Sequence, residues 1–235
     1  MHAVILAGGR GERLRPYTDD RPKPMVEVSG VPILAYQLHW LKAQGVTDVV
    51  MACGYRHEVI TAYFGNGEKW GLGITYAIEE EPLGRGGAIR HAYGRVGGAP
   101  PIVLATNGDI ITNLSLPPVL AQHQAARDLA TVVLTPYVSN FGLVEVDAHD
   151  RVIAFNEKPN LPYWINAGIY VLSSEVIAQF PEVGDHERTT FPRLAEQRRL
   201  GAYKSTAYWR SVDTVKDLSE TSREMEQRLL TAFLT

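Results

Sequence analysis

The amino-acid sequence predicts an α/β protein, a mostly parallel sheet with helices against both faces. Two patterns point there. Short apolar runs alternate with segments of helical apolar spacing through the first half, and such alternation implies a parallel sheet covered on both sides. The first apolar run also empties directly into a glycine-rich turn, as a strand end in such a sheet does.

Ala3 to Leu6 is the first expected strand, and Ile33 to Ala43 reads as a helix with Leu34, Leu38 and Leu41 on one face. Val49 to Ala52 is a buried strand, followed by a helix from about Glu58 to Phe64. Ile74 to Ala77 is a strand, Ala88 to Tyr93 a helix, and Ile102 to Ala105 another strand. Ligands gather beyond the carboxyl ends of such strands. Gly8 and Asp109 both fall there and are expected side by side.

The second half is less regular. Ala130 to Leu134, Leu143 to Val146 and Val152 to Phe155 read as short strands, the last two joined by a turn at Ala148-His149-Asp150. Ile165 to Leu172 is a longer strand, with Ser173 or Ser174 capping the helix after it. Val215, Leu218, Met225, Leu229 and Phe233 mark an amphipathic C-terminal helix. The chain is expected to be a single domain: a first half over 1–128, a smaller β-rich part over 129–213 and a C-terminal helix over 214–235.

A chain of 235 residues with 45% hydrophobic and 21% charged residues suits one large globular domain. No apolar run approaches a membrane span and no secretory leader is visible, so no membrane partner and a cytoplasmic location are expected. A single cysteine, Cys53, forms no internal disulfide. The net charge of −3 argues against a nucleic-acid partner. Positive charge is instead local: Arg10, Arg13, Arg15, Arg21 and Lys23 crowd one loop.

That loop, Ala7-Gly8-Gly9-Arg10-Gly11-Glu12-Arg13, presents bare backbone N–H groups suited to an anion. It lacks the third glycine of a dinucleotide fingerprint, Leu14 standing there, and the Gly-Lys-Ser/Thr of a Walker A loop. Pro22 and Pro24 fix the backbone on either side of Lys23 and aim its side chain.

The stretch Leu6 to Pro24 resembles the N-terminal signature of the nucleoside-diphosphate-sugar pyrophosphorylases, the sugar-1-phosphate nucleotidyltransferases. The resemblance continues through Glu81-Pro82-Leu83-Gly84, Asn107-Gly108-Asp109, Glu157-Lys158-Pro159, Ile165-Asn166-Ala167-Gly168 and Tyr208-Trp209. It implies the Rossmann-like nucleotide-diphospho-sugar transferase fold, and a reaction in which a sugar-1-phosphate attacks the α-phosphorus of a nucleoside triphosphate. The first half would then bind the nucleotide and the second the sugar. Many members carry an added β-helix of hexapeptide repeats, which is not expected here. Dimers and tetramers are common, so a homo-oligomer stays open.

By the resemblance, Arg13 and Lys23 are the catalytic cations, and Leu6, Ala7, Gly8, Gly9, Gly11, Glu79 and Gly84 surround the nucleotide. Gly142, Glu157, Lys158 and Asn166 receive the sugar phosphate. The implied cofactor is Mg²⁺, held by Asp109 and by a second carboxylate near the end of the chain. Many members read Trp-x-Asp-x-Gly-Thr there, but this chain reads Trp209-Arg210-Ser211-Val212-Asp213-Thr214. Asp213 is taken as the ligand, with an N-cap of the last helix as its rival role. Glu79 to Gly87 looks most like the guanylyltransferases acting on mannose or heptose phosphates, although Arg85 stands where those have Thr. A Glu79 carboxylate could accept from guanine N1–H and N2–H. UTP, dTTP, CTP and ATP stay open, as does a non-catalytic, nucleotide-sugar-binding regulatory subunit. The histidines lie scattered without zinc-ligand spacing.

Overall fold

The computed structural model describes residues 1–229. In chain order come β1 (His2–Leu6), β2 (Glu27–Val28), β3 (Val31–Pro32), α1 (Ile33–Ala43), β4 (Asp48–Cys53), α2 (His57–Phe64), β5 (Gly73–Ile78), α3 (Gly84–Tyr93), β6 (Ile102–Asn107) and β7 (Ile110–Thr112). There follow α4 (Leu116–Ala126), β8 (Ala130–Val138), β9 (Leu143–Val146), β10 (Val152–Asn156), β11 (Asn160–Ser173), α5 (Ser174–Ile177), α6 (Thr190–Glu196), β12 (Leu200–Lys204), β13 (Trp209–Ser211) and α7 (Val215–Glu224).

Seven strands form the main sheet in the order β12-β8-β11-β6-β1-β4-β5. Every pairing in it is parallel except the two made by β11. Side chains alternate across a strand, and the buried residues divide accordingly. Ala3 and Ile5 of β1, with Val49 and Met51 of β4, pack beside Leu34, Leu38 and Leu41 of α1, Ile60 of α2 and Val119 of α4. Val4 and Val50 face the other way, onto Ile89 of α3, Val176 of α5 and Leu194 of α6. Two-sided burial is why these strands read as unbroken apolar runs.

A third apolar cluster joins the glycine-rich loop to the end of the chain. Leu14, Val26, Val28, Ile33 and Tyr36 pack with Ile111, Val212, Leu218 and Met225. The helix α7 therefore buttresses the loop. Leu218 and Met225 are buried as the amphipathic pattern predicted, Val215 is exposed instead, and the Leu229 side chain and Phe233 lie outside what is described. Among the described residues no helix is long and apolar enough to cross a membrane.

Several elements differ from expectation. The strand expected at 165–172 runs from Asn160 to Ser173 and shifts register between Asn166 and Tyr170, around Gly168 with φ +68°. The helix expected from Ala88 begins at Gly84, although three early glycines disfavour helix. Tertiary packing overrides that preference: a Cβ on Gly87 would lie 2.3 Å from the Glu182 carbonyl oxygen. The strands β7 and β13 pair antiparallel across the molecule, each only three residues long and too short to show a period. Of the two capping serines, Ser173 is the cap, its hydroxyl accepting from the Val176 N–H at 3.2 Å.

Candidate active site

Four parallel strand ends and two short elements build one cavity of about 530 Å³. Leu6, Gly8 and Gly9 line it after β1, Ala52 at β4, Glu79 after β5, and Asn107, Gly108 and Asp109 after β6. Lys23, Ser211 and Asp213 close one side, and Pro82, Gly84 and Arg85 another.

Each polar group has a local reason for its position. Gly11 turns the loop with φ +67°, and a Cβ there would lie 2.8 Å from the Cβ of Lys23. Only glycine combines that conformation with that approach. The Lys23 N–H donates to Gly9 O at 3.2 Å and Thr18 Oγ1 donates to Gly11 O at 2.9 Å, which ties the loop to the proline-framed lysine. The turn carrying Asp109 is held twice. Gly108 donates to Leu6 O at 2.9 Å, and the buried Gln37 of α1 donates to the carbonyls of Asn107 and Ile110 at 2.5 and 2.9 Å. Finally Val212 N donates to Asp109 O at 3.0 Å, laying the end of β13 beside Asp109.

These constraints bring Lys23 Nζ to 2.5 Å from Asp109 Oδ2 and 2.7 Å from Asp213 Oδ1. Arg13 adds its Nη2 at 2.9 Å from the same Asp213 oxygen, and Ser211 Oγ donates to Asp213 Oδ2 at 2.7 Å. Burial works against the charge of Lys23, but the two carboxylates hold its ammonium above the ordinary value. Burial also works against the charge of Asp213, yet the bonds from Lys23 and Ser211 and the charge of Arg13 keep its carboxyl below the usual range. Asp213 is not a helix cap. That place belongs to Thr214, whose side chain accepts from Asp217 N while Asp217 bonds back to Thr214 N, a capping box.

Glu79 also lines the cavity, its Oε1 3.8 Å from where a Cβ on Gly8 would stand; it is half-buried and accepts from Leu83 N at 3.1 Å, while Glu80 and Glu81 are exposed. Burial raises the Glu79 carboxyl above its ordinary value, partly offset by that N–H. Of the expected nucleotide group, Leu6, Gly8, Gly9, Glu79 and Gly84 line the cavity. Ala7 lies buried under the loop, and Gly11 shapes it from behind.

The expected sugar-side residues stand apart from this lining. A Cβ on Gly142 would lie 2.9 Å from Glu157 Oε2, so those two are neighbours. Lys158, with φ +45°, sits 3.5 Å from Glu220 Oε1 of α7. Asn166 donates to Glu187 Oε1 at 2.7 Å and its Oδ1 accepts from Gly168 N.

Sequence reasoning missed Asp185 and Glu187, which bind the guanidinium of Arg85 on the cavity wall. They lie a hundred residues from Arg85 in a loop without pattern, so no local signal marked them. Three residues outside the cavity lining are structural. Trp40 donates to Leu114 O, Trp70 packs on Phe64, and burial pushes the Cys53 thiol up to about 12. Trp164 carries Lys204 over its ring at 5.2 Å.

Asp109 Oδ1 is buried and without a hydrogen-bond partner. Among the described residues no group of three or more metal-ligating side chains occurs. Two carboxylates are nevertheless the protein share that suits Mg²⁺ when phosphate and water supply the rest. The site therefore fits that ion.

The profile of the nucleotidyl transferase family matches residues 2–228 of this chain. A mannose-1-phosphate guanylyltransferase of Mycobacterium tuberculosis is 36% identical over 233 residues, covering 96% of this chain but 64% of that protein. A D-glycero-alpha-D-manno-heptose 1-phosphate guanylyltransferase of Aneurinibacillus thermoaerophilus is 32% identical, covering 96% of this chain and 99% of its own length. The crystal structure of HddC from Yersinia pseudotuberculosis, also solved in complex with GMP-PN, superposes with a TM-score of 0.76 at 26% identity over 95% of this chain and 99% of that one. The chain thus spans under two thirds of the mycobacterial relative and nearly all of the heptose-phosphate one. With the family match running almost from end to end, this chain belongs to the nucleotidyl transferase family.

Proposed function

We propose that this chain transfers a nucleotidyl group from GTP to a hexose- or heptose-1-phosphate, mannose-1-phosphate or its heptose analogue being the favoured acceptor. The observation that carries this reading is the meeting of Lys23, Asp109 and Asp213 in one cavity with the glycine loop and Glu79.

The acceptor's phosphate oxygen is already an anion and needs no general base. It attacks the α-phosphorus, a new P–O bond forms, and the bond to the bridging oxygen breaks to release pyrophosphate. The barrier lies in joining two polyanions in line, so positioning and charge stabilisation dominate. Lys23 and Arg13 supply full positive charge at the reacting end, and the Gly8-Gly9 backbone permits close approach of the phosphates. Asp109 and Asp213 would hold Mg²⁺, which when bound neutralises phosphate charge and orients the leaving group. Lys158 would neutralise the acceptor phosphate, while Glu157, Asn166 and the Gly142 backbone accept or donate at sugar hydroxyls.

Guanine is favoured because the half-buried Glu79 offers two acceptors on one carboxylate, which matches N1–H and N2–H. The relatives named as guanylyltransferases lend the same support. The test is a pyrophosphate-release screen of GTP, UTP, dTTP, CTP and ATP against several sugar-1-phosphates with magnesium. GTP is expected to give the highest kcat/KM. Another nucleotide serving better would sink the guanine assignment, and no release with any pair would sink the enzyme.

A further inference from the structure

The structure sorts the five cations of the opening loop into two kinds. Four are paired: Arg13 with Asp213, Lys23 with Asp109 and Asp213, Arg15 with Asp19 at 3.5 Å, and Arg21 with Asp20 and Glu27. Arg10 is different. Its guanidinium lies over the Tyr55 ring at 5.6 Å, and Arg56 lies over the same ring at 5.6 Å. Among the described residues neither arginine has a carboxylate oxygen within 4.0 Å.

Tyr55 follows β4, the strand beside β1, so the ring stands directly against the glycine loop. A Cβ on Gly8 would lie 3.3 Å from Gly54 N, which measures how closely the two turns meet. Arg56 Nε donates to Tyr55 Oη at 3.1 Å, and Arg56 holds a left-handed conformation with φ 48°. A non-glycine residue takes that conformation at a cost of about 1–2 kcal/mol. A guanidinium stacked on an aromatic face keeps its N–H edge free for phosphate oxygens.

If the base sits at Glu79 and the reacting phosphorus beside Lys23 and Asp109, those parts of the cavity lining are taken. The phosphates beyond the reacting one must then leave across the exposed part of the loop, Gly9 and Arg10. We propose that Arg10, Tyr55 and Arg56 form a subsite for the terminal phosphates of the nucleoside triphosphate, and so for the departing pyrophosphate. This rests on the nucleotidyl-transfer reading above and adds the group that receives the leaving charge.

The experiment is calorimetric titration of GTP, GMP and inorganic pyrophosphate, with magnesium, into wild type, Arg10→Ala/Arg56→Ala and Arg10→Lys/Arg56→Lys. Both positions are exposed, and a thermal melt confirms that each variant is folded. Loss of two charge-assisted contacts predicts GTP and pyrophosphate binding weaker by about tenfold or more in the alanine variant, with GMP unchanged. The lysine variant keeps charge without the stacked fork and recovers part of the loss. Unchanged GTP affinity, or an equal fall for GTP and GMP, would overturn the subsite while leaving the enzyme reading intact. Wild-type protein that binds none of the three would overturn both.

Discussion

Lys23 Nζ stands 2.5 Å from Asp109 Oδ2, although 86 positions separate the two residues in the chain. Asp213 Oδ1 lies 2.7 Å from the same ammonium, so two acidic groups share one partly buried cation. A divalent ion and that ammonium would seek the same oxygens. A divalent ion held by the two carboxylates would free Lys23 for the phosphates of the proposed substrate.

Lys23→Met tests this arrangement in two ways. Turnover is expected to fall by about 10²–10³ because a preorganised donor at the transition state is lost. Mn²⁺ titrated into nucleotide-free protein is expected to bind more tightly to the variant than to wild type, since the ammonium no longer competes for Asp109 and Asp213 and only Arg13 remains on Asp213. Equal or weaker metal affinity would show that the ammonium does not stand in the ion's place.

Asp213→Asn and Ser211→Ala separate the two residues near the end of β13. The first removes a charge facing Lys23 and Arg13 and is expected to lower kcat by about 10² or more. The second removes one neutral donor to that carboxylate and is expected to cost about tenfold at most. Near-normal turnover of Asp213→Asn would remove Asp213 from the proposed metal site.

Gly87→Ala reports on the packing of α3 against the loop that carries Asp185 and Glu187. The added methyl would meet the Glu182 carbonyl at 2.3 Å and Leu83 Cβ at 3.0 Å, and backbone offers little room to move. A loss of about 1–3 kcal/mol is expected from urea unfolding. Wild-type stability in the variant would mean that this contact is loose.

His186 sets a pH dependence of stability. The ring is fully buried, stacks on Phe180 at 4.7 Å, and neither nitrogen has a hydrogen-bond partner. Burial lowers its value to about 4, with the nearby Asp185 opposing and Arg85 assisting. The unfolded chain binds this proton below about pH 6.5, whereas the folded chain does so only near pH 4. Stability is therefore unaffected above the unfolded value and drains away as the pH falls through this window, by about 3 kcal/mol in all. His186→Phe keeps an aromatic ring and is expected to flatten the slope of unfolding free energy between those limits. An unaltered slope would assign the acid sensitivity to other groups.

Local order was legible because it is written at short range. The apolar runs of β1, β4 and β6, the spacing of Leu34, Leu38 and Leu41, and the proline frame of Lys23 each act within a few residues. The loop's suitability for an anion could be read from glycines and cations alone. Which cations stay available could not. Arg15 and Arg21 are neutralised by neighbours, Arg10 is turned onto Tyr55, and Lys23 is drawn between carboxylates from two distant strand ends. Arg85 looked like a mere departure until Asp185 and Glu187 met it. Charge reaches across space without regard to sequence separation, so only the folded chain assigns each charge its partner.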